Sequence, residues 1–277
     1  MPRNIGALDG AGLSLRDQTH ILVNGSTDNT SATARLLALA DNRITTHELP
    51  IGDKANAWNE YVHRIADPEI ATHVFLDGDI KASHGAISAL QAALTASADC
   101  YAAAALPAAG RNQRGWARRL LIHHYISGNL YALSGSVIRQ FRERQIRLPF
   151  GAKGEDGLLS YLLLTDLKGG EDDSHTDRIT IAEDATFEFD SLQANVRDFK
   201  LYCRRLRRYS ERHFQKKILY RRLKETGVSA MPDSIYEIYT DEALAALQPR
   251  LDPVNFWFDS ATLKHLRARK SLARATV

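Results

Sequence analysis

Two pairs of acids in this chain are spaced for chemistry. "FLDGDI" (75–80) places Asp77 and Asp79 on either side of Gly78, directly after the apolar run "THVFL". Two desolvated carboxylates this close would force one of them to keep its proton. A hard divalent cation removes that conflict, and Mg²⁺ is commonly held by one or two carboxylates together with substrate phosphates. The pair therefore suggests a metal–diphosphate clamp. Taken alone, the triplet is better explained as a solvated turn with two capping acids. Further along, "GEDG" (154–157) sets Glu155 beside Asp156 at the mouth of an apolar segment. Acids suit the first turn of a helix, and they are also candidates for proton transfer where they line a cleft.

Elements that could position these acids are legible around them. "HILVNGSTDNT" (20–30) reads as a short buried strand entering a polar turn, with Asp28 or Thr30 able to cap the helix "DNTSATARLLALA". "RITTHEL" (43–49) is a second strand, "KANAWNEYVHRIA" (54–66) a helix, "THVFLDGDI" (72–80) a third strand and "HGAISALQAALTAS" (84–97) a third helix. "DCYAAAALPA" (99–108) is another apolar strand. This alternation indicates βαβ units and a mainly parallel sheet flanked by helices, which explains the nearly continuous apolar strands. "RGWARRLLIHHYI" (114–126) looks helical, "GNLYALSG" (128–135) is a short strand or loop, and "GEDGLLSYLLLTD" (154–166) opens an apolar helix. "DRITIAEDATFEFD" (177–190) is one strand or a hairpin, and "GGEDDSH" (169–175) is a candidate surface loop. From about 193 onward the chain reads as basic helix. The expected layout is an α/β core over 1–190 with a helical basic extension, 191–277, packed on it.

The ordered series "VNGSTDNT", "GDKANAWN", "FLDGDI", "GNLYALSG" and "GEDGLLSYLL" resembles family 2 glycosyltransferases of the GT-A fold. There, "DxGSTDxT" lines the nucleotide pocket, "GKxxAxN" follows, and a strand ending in D-x-D holds the metal. The resemblance covers roughly residues 5–190, and each motif gains meaning only from its context. It implies a donor site of Asn24, Ser26, Asp28, Lys54, Asn59 and Asp77, with Asn24 standing where family members often have an acid. It implies Asp79 as the direct ligand of Mn²⁺ or Mg²⁺, with Asp77 touching ribose or metal-bound water. It implies Asp156 as general base with Glu155 beside it, and Gly128, Asn129, Ser134 and Gly135 shaping the acceptor side. Competing structural roles are a helix cap for Asp28, a solvated first turn for Lys54, local packing for Asn59, an ordinary tight turn at 128–135 and helix-opening acids at 155–156. The family's Q-x-x-R-W motif is absent, and Arg205 and Arg208 in "RRLRRY" are its nearest equivalents. Members also open with an apolar strand ending in P-x-x-N-E. Here "PRNIGALDGAGLSL" resembles the helix after that strand, so the strand itself is expected upstream of residue 1.

The implied activity is metal-assisted transfer of a hexose-like sugar, with inversion, from a nucleotide-diphosphate-sugar to a hydroxyl on a sugar or lipid-linked acceptor. Two alternatives stay open. One is a nucleotidyltransferase of similar fold, disfavoured by the late Glu-Asp pair and the lack of an N-terminal Gly-rich phosphate loop. The other is a non-catalytic binding module working through the basic helices. The basic stretch Arg204–Lys224 reads as a solvated face, as contact with an anionic membrane, or, last, as a nucleic-acid surface, for which no motif speaks. Composition agrees with an ordinary globular protein: 277 residues, 44% hydrophobic, 25% charged, net charge +3. Two cysteines without metal-ligand spacing fit a reducing cytoplasm. No run approaches a membrane span or a signal peptide, so the expectation is a cytoplasmic protein, soluble or peripheral to a membrane.

Overall fold

The computed structural model describes residues 11, 12, 14, 17–110, 112–170, 174–189 and 196–275. The helix expected over 2–15 lies largely outside the described residues, as does the middle of the 169–175 loop.

The first described strand, β1 (Thr19–Asn24), alternates, and its Ile21 and Val23 are buried. They pack on Ala34 of α1 (Thr30–Ala40) and Ile44 of β2 (Ile44–Leu49), which forms a small separate core. The two strands pair in parallel, Thr19 opposite Ile44 through Asn24 opposite Leu49, as a βαβ crossover requires. A helix, α2 (Lys54–Glu60), follows and runs on through a π-helical turn, Tyr61–Ile65.

A second sheet holds five strands: β3 (Thr72–Leu76), β4 (Ile80–Ala82), β5 (Ala102–Pro107), β6 (Leu130–Ser134) and β7 (Ile179–Phe189), in the order β3-β6-β5-β7-β4. The α/β class is as expected, but pairing within it is mixed. β5 and β7 are parallel, whereas β3–β6, β5–β6 and β4–β7 are antiparallel. The segment 177–190 is one bulged strand rather than a hairpin.

Central β5 shows how the sheet is covered. Ala102 and Ala104 face the larger core, whereas Ala103 and Ala105 face a second one with Leu90 and Leu94 of α3 (Ala86–Thr95). Successive side chains point to opposite faces, and all four alanines are fully buried because both faces carry helices. The remaining core helices are α4 (Gln113–His123), α5 (Gly135–Glu143) and α6 (Glu155–Leu164). The basic C-terminal part forms α7 (Val196–Thr226), a short α8 (Asp241–Ala245) and α9 (Pro253–Ala275). Phe214, Ile218 and Leu223 of α7 and Leu263 and Leu266 of α9 join Leu158, Leu159 and Leu162 of α6 in one apolar cluster.

Candidate active site

The two sheets flank a cleft of about 590 Å³. β1 contributes His20, Leu22 and Asn24, and β3 contributes Val74, Phe75 and Leu76. Tyr61 closes the floor between them: its ring lies 5.8 Å from His20 and 5.3 Å from Phe75, and its hydroxyl is 2.9 Å from His73 Nδ1. Burial pushes that hydroxyl up to about 12, which keeps it neutral.

At the polar end, four chain segments converge. Asp77 follows β3 directly, and its N–H donates to the Asn129 carbonyl at 2.9 Å. Lys54 begins α2. Its ammonium reaches Asp77 Oδ1 at 2.7 Å, Asp77 Oδ2 at 3.0 Å, Glu155 Oε1 at 3.1 Å and the Gly128 carbonyl at 3.1 Å. Burial works against the ammonium, but Glu155 and Asp77 outweigh it and hold Lys54 above the ordinary lysine range. For Asp77 burial wins and lifts the carboxyl, despite the pull of Lys54, with Asp79 and Glu155 adding to the rise. For Glu155 burial is opposed by Lys54 and by a backbone hydrogen bond, and the net direction is down.

Asp53 fixes this end of α2. Its Oδ1 accepts from Asn56 N at 2.7 Å, which caps the helix. Its Oδ2 accepts from Gly151 N at 3.0 Å, and its own N–H donates to Asn24 Oδ1 at 2.9 Å. The buried carboxylate thus ties the start of α2 to the loop before α6, and the main-chain N–H of the same residue ties both to the end of β1. Across the cleft, Asp156 lies in the first turn of α6. Its Oδ1 accepts from Gly157 N at 2.8 Å and from Arg212 Nη2 at 3.0 Å. Gly154 precedes the pair at φ +82°, and a Cβ there would stand 2.1 Å from Arg212 Nε. Glycine is therefore required both by the left-handed backbone and by the approach of Arg212.

Of the residues singled out in the sequence, Asn24, Lys54, Asp77, Gly128, Glu155, Asp156 and Arg208 line the cleft. Asn129 stands behind it, with its amide 3.4 Å from Asp77 Oδ2. Asp79 is exposed beside Asp77. Ser26 and Asp28 are exposed on the turn after β1, where Asp28 accepts from Thr30 N at 3.0 Å; the cap position of α1 is Asn29, one residue later, and it makes no side-chain cap. Asn59 spends its side chain on the Leu148 backbone, donating at 2.8 Å and accepting at 2.9 Å, and so joins α2 to the 148 segment. Arg205 is exposed and is not among the lining residues. Ser134 and Gly135 lie at the other end of the sheet: Leu130 pairs with Leu76 next to the cleft, whereas Ser134 pairs with Thr72, roughly 13 Å further along the strand. There Ser134 caps α5 by accepting from Val137 N, and Gly135 packs on the Ile70 carbonyl. Asp53, Tyr131, Lys153 and Arg212 were not signalled. Tyr131 stacks on Phe75 at 4.8 Å, and burial with the nearby Glu155 drives its hydroxyl well above the usual range.

The donor set suits a hard divalent cation. Asp77 and Asp79 offer carboxylate oxygens with one residue between them, and among the described residues the buried Glu155 Oε2 has no hydrogen-bond partner. Among the described residues no group of three potential ligands is assembled. A cation would then complete its shell with phosphate oxygens, as Mg²⁺ commonly does.

No family model matches the chain, and no curated protein matches it in sequence. Solved structures do share its shape. The mannosyltransferase PcManGT from Pyrobaculum calidifontis, in complex with GDP-Man and Mn²⁺, superposes with a TM-score of 0.54 at 19% identity, over 99% of this chain and 76% of that one. TarS 1–349 from S. aureus, in complex with UDP-GlcNAc, gives 0.49 at 11% identity, over 99% and 88%. This chain therefore has the α/β fold of the Pyrobaculum mannosyltransferase.

Proposed function

We propose that the protein is a glycosyltransferase that moves a sugar from a nucleotide-diphosphate donor to a hydroxyl acceptor, with metal assistance and inversion at the anomeric carbon. The observation that carries this reading is the convergence of Lys54, Asp77, Gly128, Glu155 and Asp156 on one cleft. The shared fold supports it, since PcManGT was crystallised with GDP-Man and Mn²⁺.

Asp77 and Asp79 would hold Mn²⁺ or Mg²⁺, which would supply Lewis-acid stabilisation to the departing diphosphate. Lys54 and Arg208 add positive charge at the same place, and Asn24 borders the nucleoside. Asp156 is the general base. Among the described residues only its Oδ1 is engaged, so Oδ2 is left to accept the proton of the acceptor hydroxyl. The acceptor oxygen then bonds to the anomeric carbon from the face opposite the diphosphate. The old carbon–oxygen bond breaks, and its electron pair leaves with the nucleoside diphosphate. Gly128, where a Cβ would stand 3.0 Å from Asp156 Cβ, keeps the approach to the base open.

The test is donor turnover by the full chain with Mn²⁺ and a panel of sugar nucleotides. Asp156→Asn is expected to lower turnover by at least about a hundredfold, the scale of a lost proton-transfer group, and Asp79→Ala to lower it by weakening Mn²⁺ binding, with partial recovery at higher Mn²⁺. Turnover that survives both changes would show the site to be misassigned. Absence of any donor binding would favour a non-catalytic module.

A further inference from the structure

The first half of α7 carries a surface that the proposed chemistry leaves unused. Phe199, Tyr202, Leu206 and Tyr209 recur at helical spacing and share one face. Phe199 is 66% exposed, Tyr202 48% and Tyr209 52%. Lys200, Arg204 and Arg207 form an exposed stripe on the polar side of the helix, and no acid lies between Phe199 and Ser210. Arg208 and Arg212, one turn apart, point into the cleft and onto Asp156, which turns the aromatic face away from the core. A second exposed set adjoins it. α9 packs against α7, and it carries Val254, Phe256 and Trp257, the last 60% exposed.

We propose that this face docks on a lipid bilayer surface bearing anionic headgroups. A helix lying in the plane of such a surface needs an apolar face, aromatic rings at headgroup depth and a polar face rich in cations. All three occur here, with aromatic and basic residues segregated around the helix. A single-strand nucleic-acid platform instead sets rings and cations together, so that bases stack while phosphates pair. Leu206 and Val254 would add nothing to stacking. Among the described residues no helix is long and apolar enough to cross a membrane, so the contact is one of lying on the surface. The inference is independent of the transfer chemistry, and its failure would leave that reading intact.

The experiment is co-sedimentation of the full chain with phosphatidylcholine vesicles, with and without phosphatidylglycerol, at low and high salt. Binding is expected only to the anionic vesicles, weakening as salt rises. Phe199→Ser combined with Tyr202→Ser is expected to weaken it about tenfold, and Arg204→Gln with Arg207→Gln by a similar factor. Trp257 emission should shift to the blue on binding, and Trp257→Phe should remove that shift. These positions are exposed, so far-UV circular dichroism should be unchanged. Three results would each overturn the proposal: no binding to anionic vesicles, an aromatic variant that binds as well as the parent, or a parent dimer that the aromatic changes turn into monomer. Displacement of the vesicles by single-stranded RNA at equal affinity would do the same.

Discussion

Asp77 and Glu155 share the Lys54 ammonium, which holds Glu155 down, while burial outweighs it at Asp77. Removing it with Lys54→Met leaves two neighbouring carboxylates without their counter-charge. Because Lys54 is half-exposed, the expected loss is about 1–2 kcal/mol rather than the larger cost of breaking a fully buried pair. The pH dependence is specific. Glu155 sits below the glutamate value of 4.5, so its contribution is present above that pH and fades as pH falls through the lowered value. Lys54 sits above 10.5, so its contribution is complete below that pH and is lost as pH rises through the raised value. The difference in melting temperature between parent and Lys54→Met should therefore be widest between the two limbs and shrink at both ends. A difference constant across that range would show that the three groups are not coupled. These residues were legible because each stands at a recognisable chain position: the end of an apolar run or the first turn of a helix. Arg212 was not, because its partner is chosen by how α7 packs, and nothing in "RRYSERH" marks one arginine among several.

At the scale of the element, the turns matter more than the helices they open. Asp53→Ala removes a helix cap and leaves the Gly151 N–H unpaired, so a loss of about 2–3 kcal/mol in unfolding free energy is expected, read as a lower urea midpoint at unchanged slope. Turnover should fall with it, because Lys54 is the next residue. Asp53→Asn keeps one acceptor oxygen and should recover part of both. Gly154→Ala makes a different test. The new methyl meets Arg212 and the backbone is held at φ +82°, so the variant should lose both the Arg212–Asp156 pair and about 1–3 kcal/mol of stability. Adding Arg212→Ala should return the part due to the clash and none of the part due to the backbone. A double variant no more stable than the single one would place the whole cost in the backbone. Strand and helix positions could be read from periodicity along the chain. Strand direction could not, so the sequence does not show which end of "GNLYALSG" reaches the site, and Ser134 and Gly135 lie at the far end. β6 runs antiparallel to β3, so its start, with Gly128 and Asn129 before it, meets Asp77 and its end points away. A parallel sheet would have brought the opposite end to the site.

At the scale of the molecule, the boundary near residue 190 marks a change of composition rather than a division of the core. Composition made the C-terminal part legible as basic and helical. The apolar residues that bind it to the sheet, spaced among arginines and lysines, gave no sign of their target. Phe214, Ile218, Leu219 and Leu223 of α7 share a cluster with α6 and with Trp58 and Phe141, and Leu244 and Leu266 close it from α8 and α9. Gln215 adds a polar tie, accepting from Lys153 N at 2.7 Å while donating to the Tyr239 hydroxyl at 3.0 Å. Cutting the chain after residue 190 would expose the outer face of α6 and strip Arg212 from Asp156 at once. Each large side chain returned to water costs about 1.5–3 kcal/mol, and a domain has only about 5–15 kcal/mol in total. We therefore expect the 1–190 fragment to keep helical circular dichroism but to bind a hydrophobic dye and melt without a cooperative transition. Residues 191–277, supplied as a second chain, should restore the transition if packing rather than connectivity is what is missing. A fragment that melts cooperatively without them would make the C-terminal helices an accessory to the site instead of a wall of it.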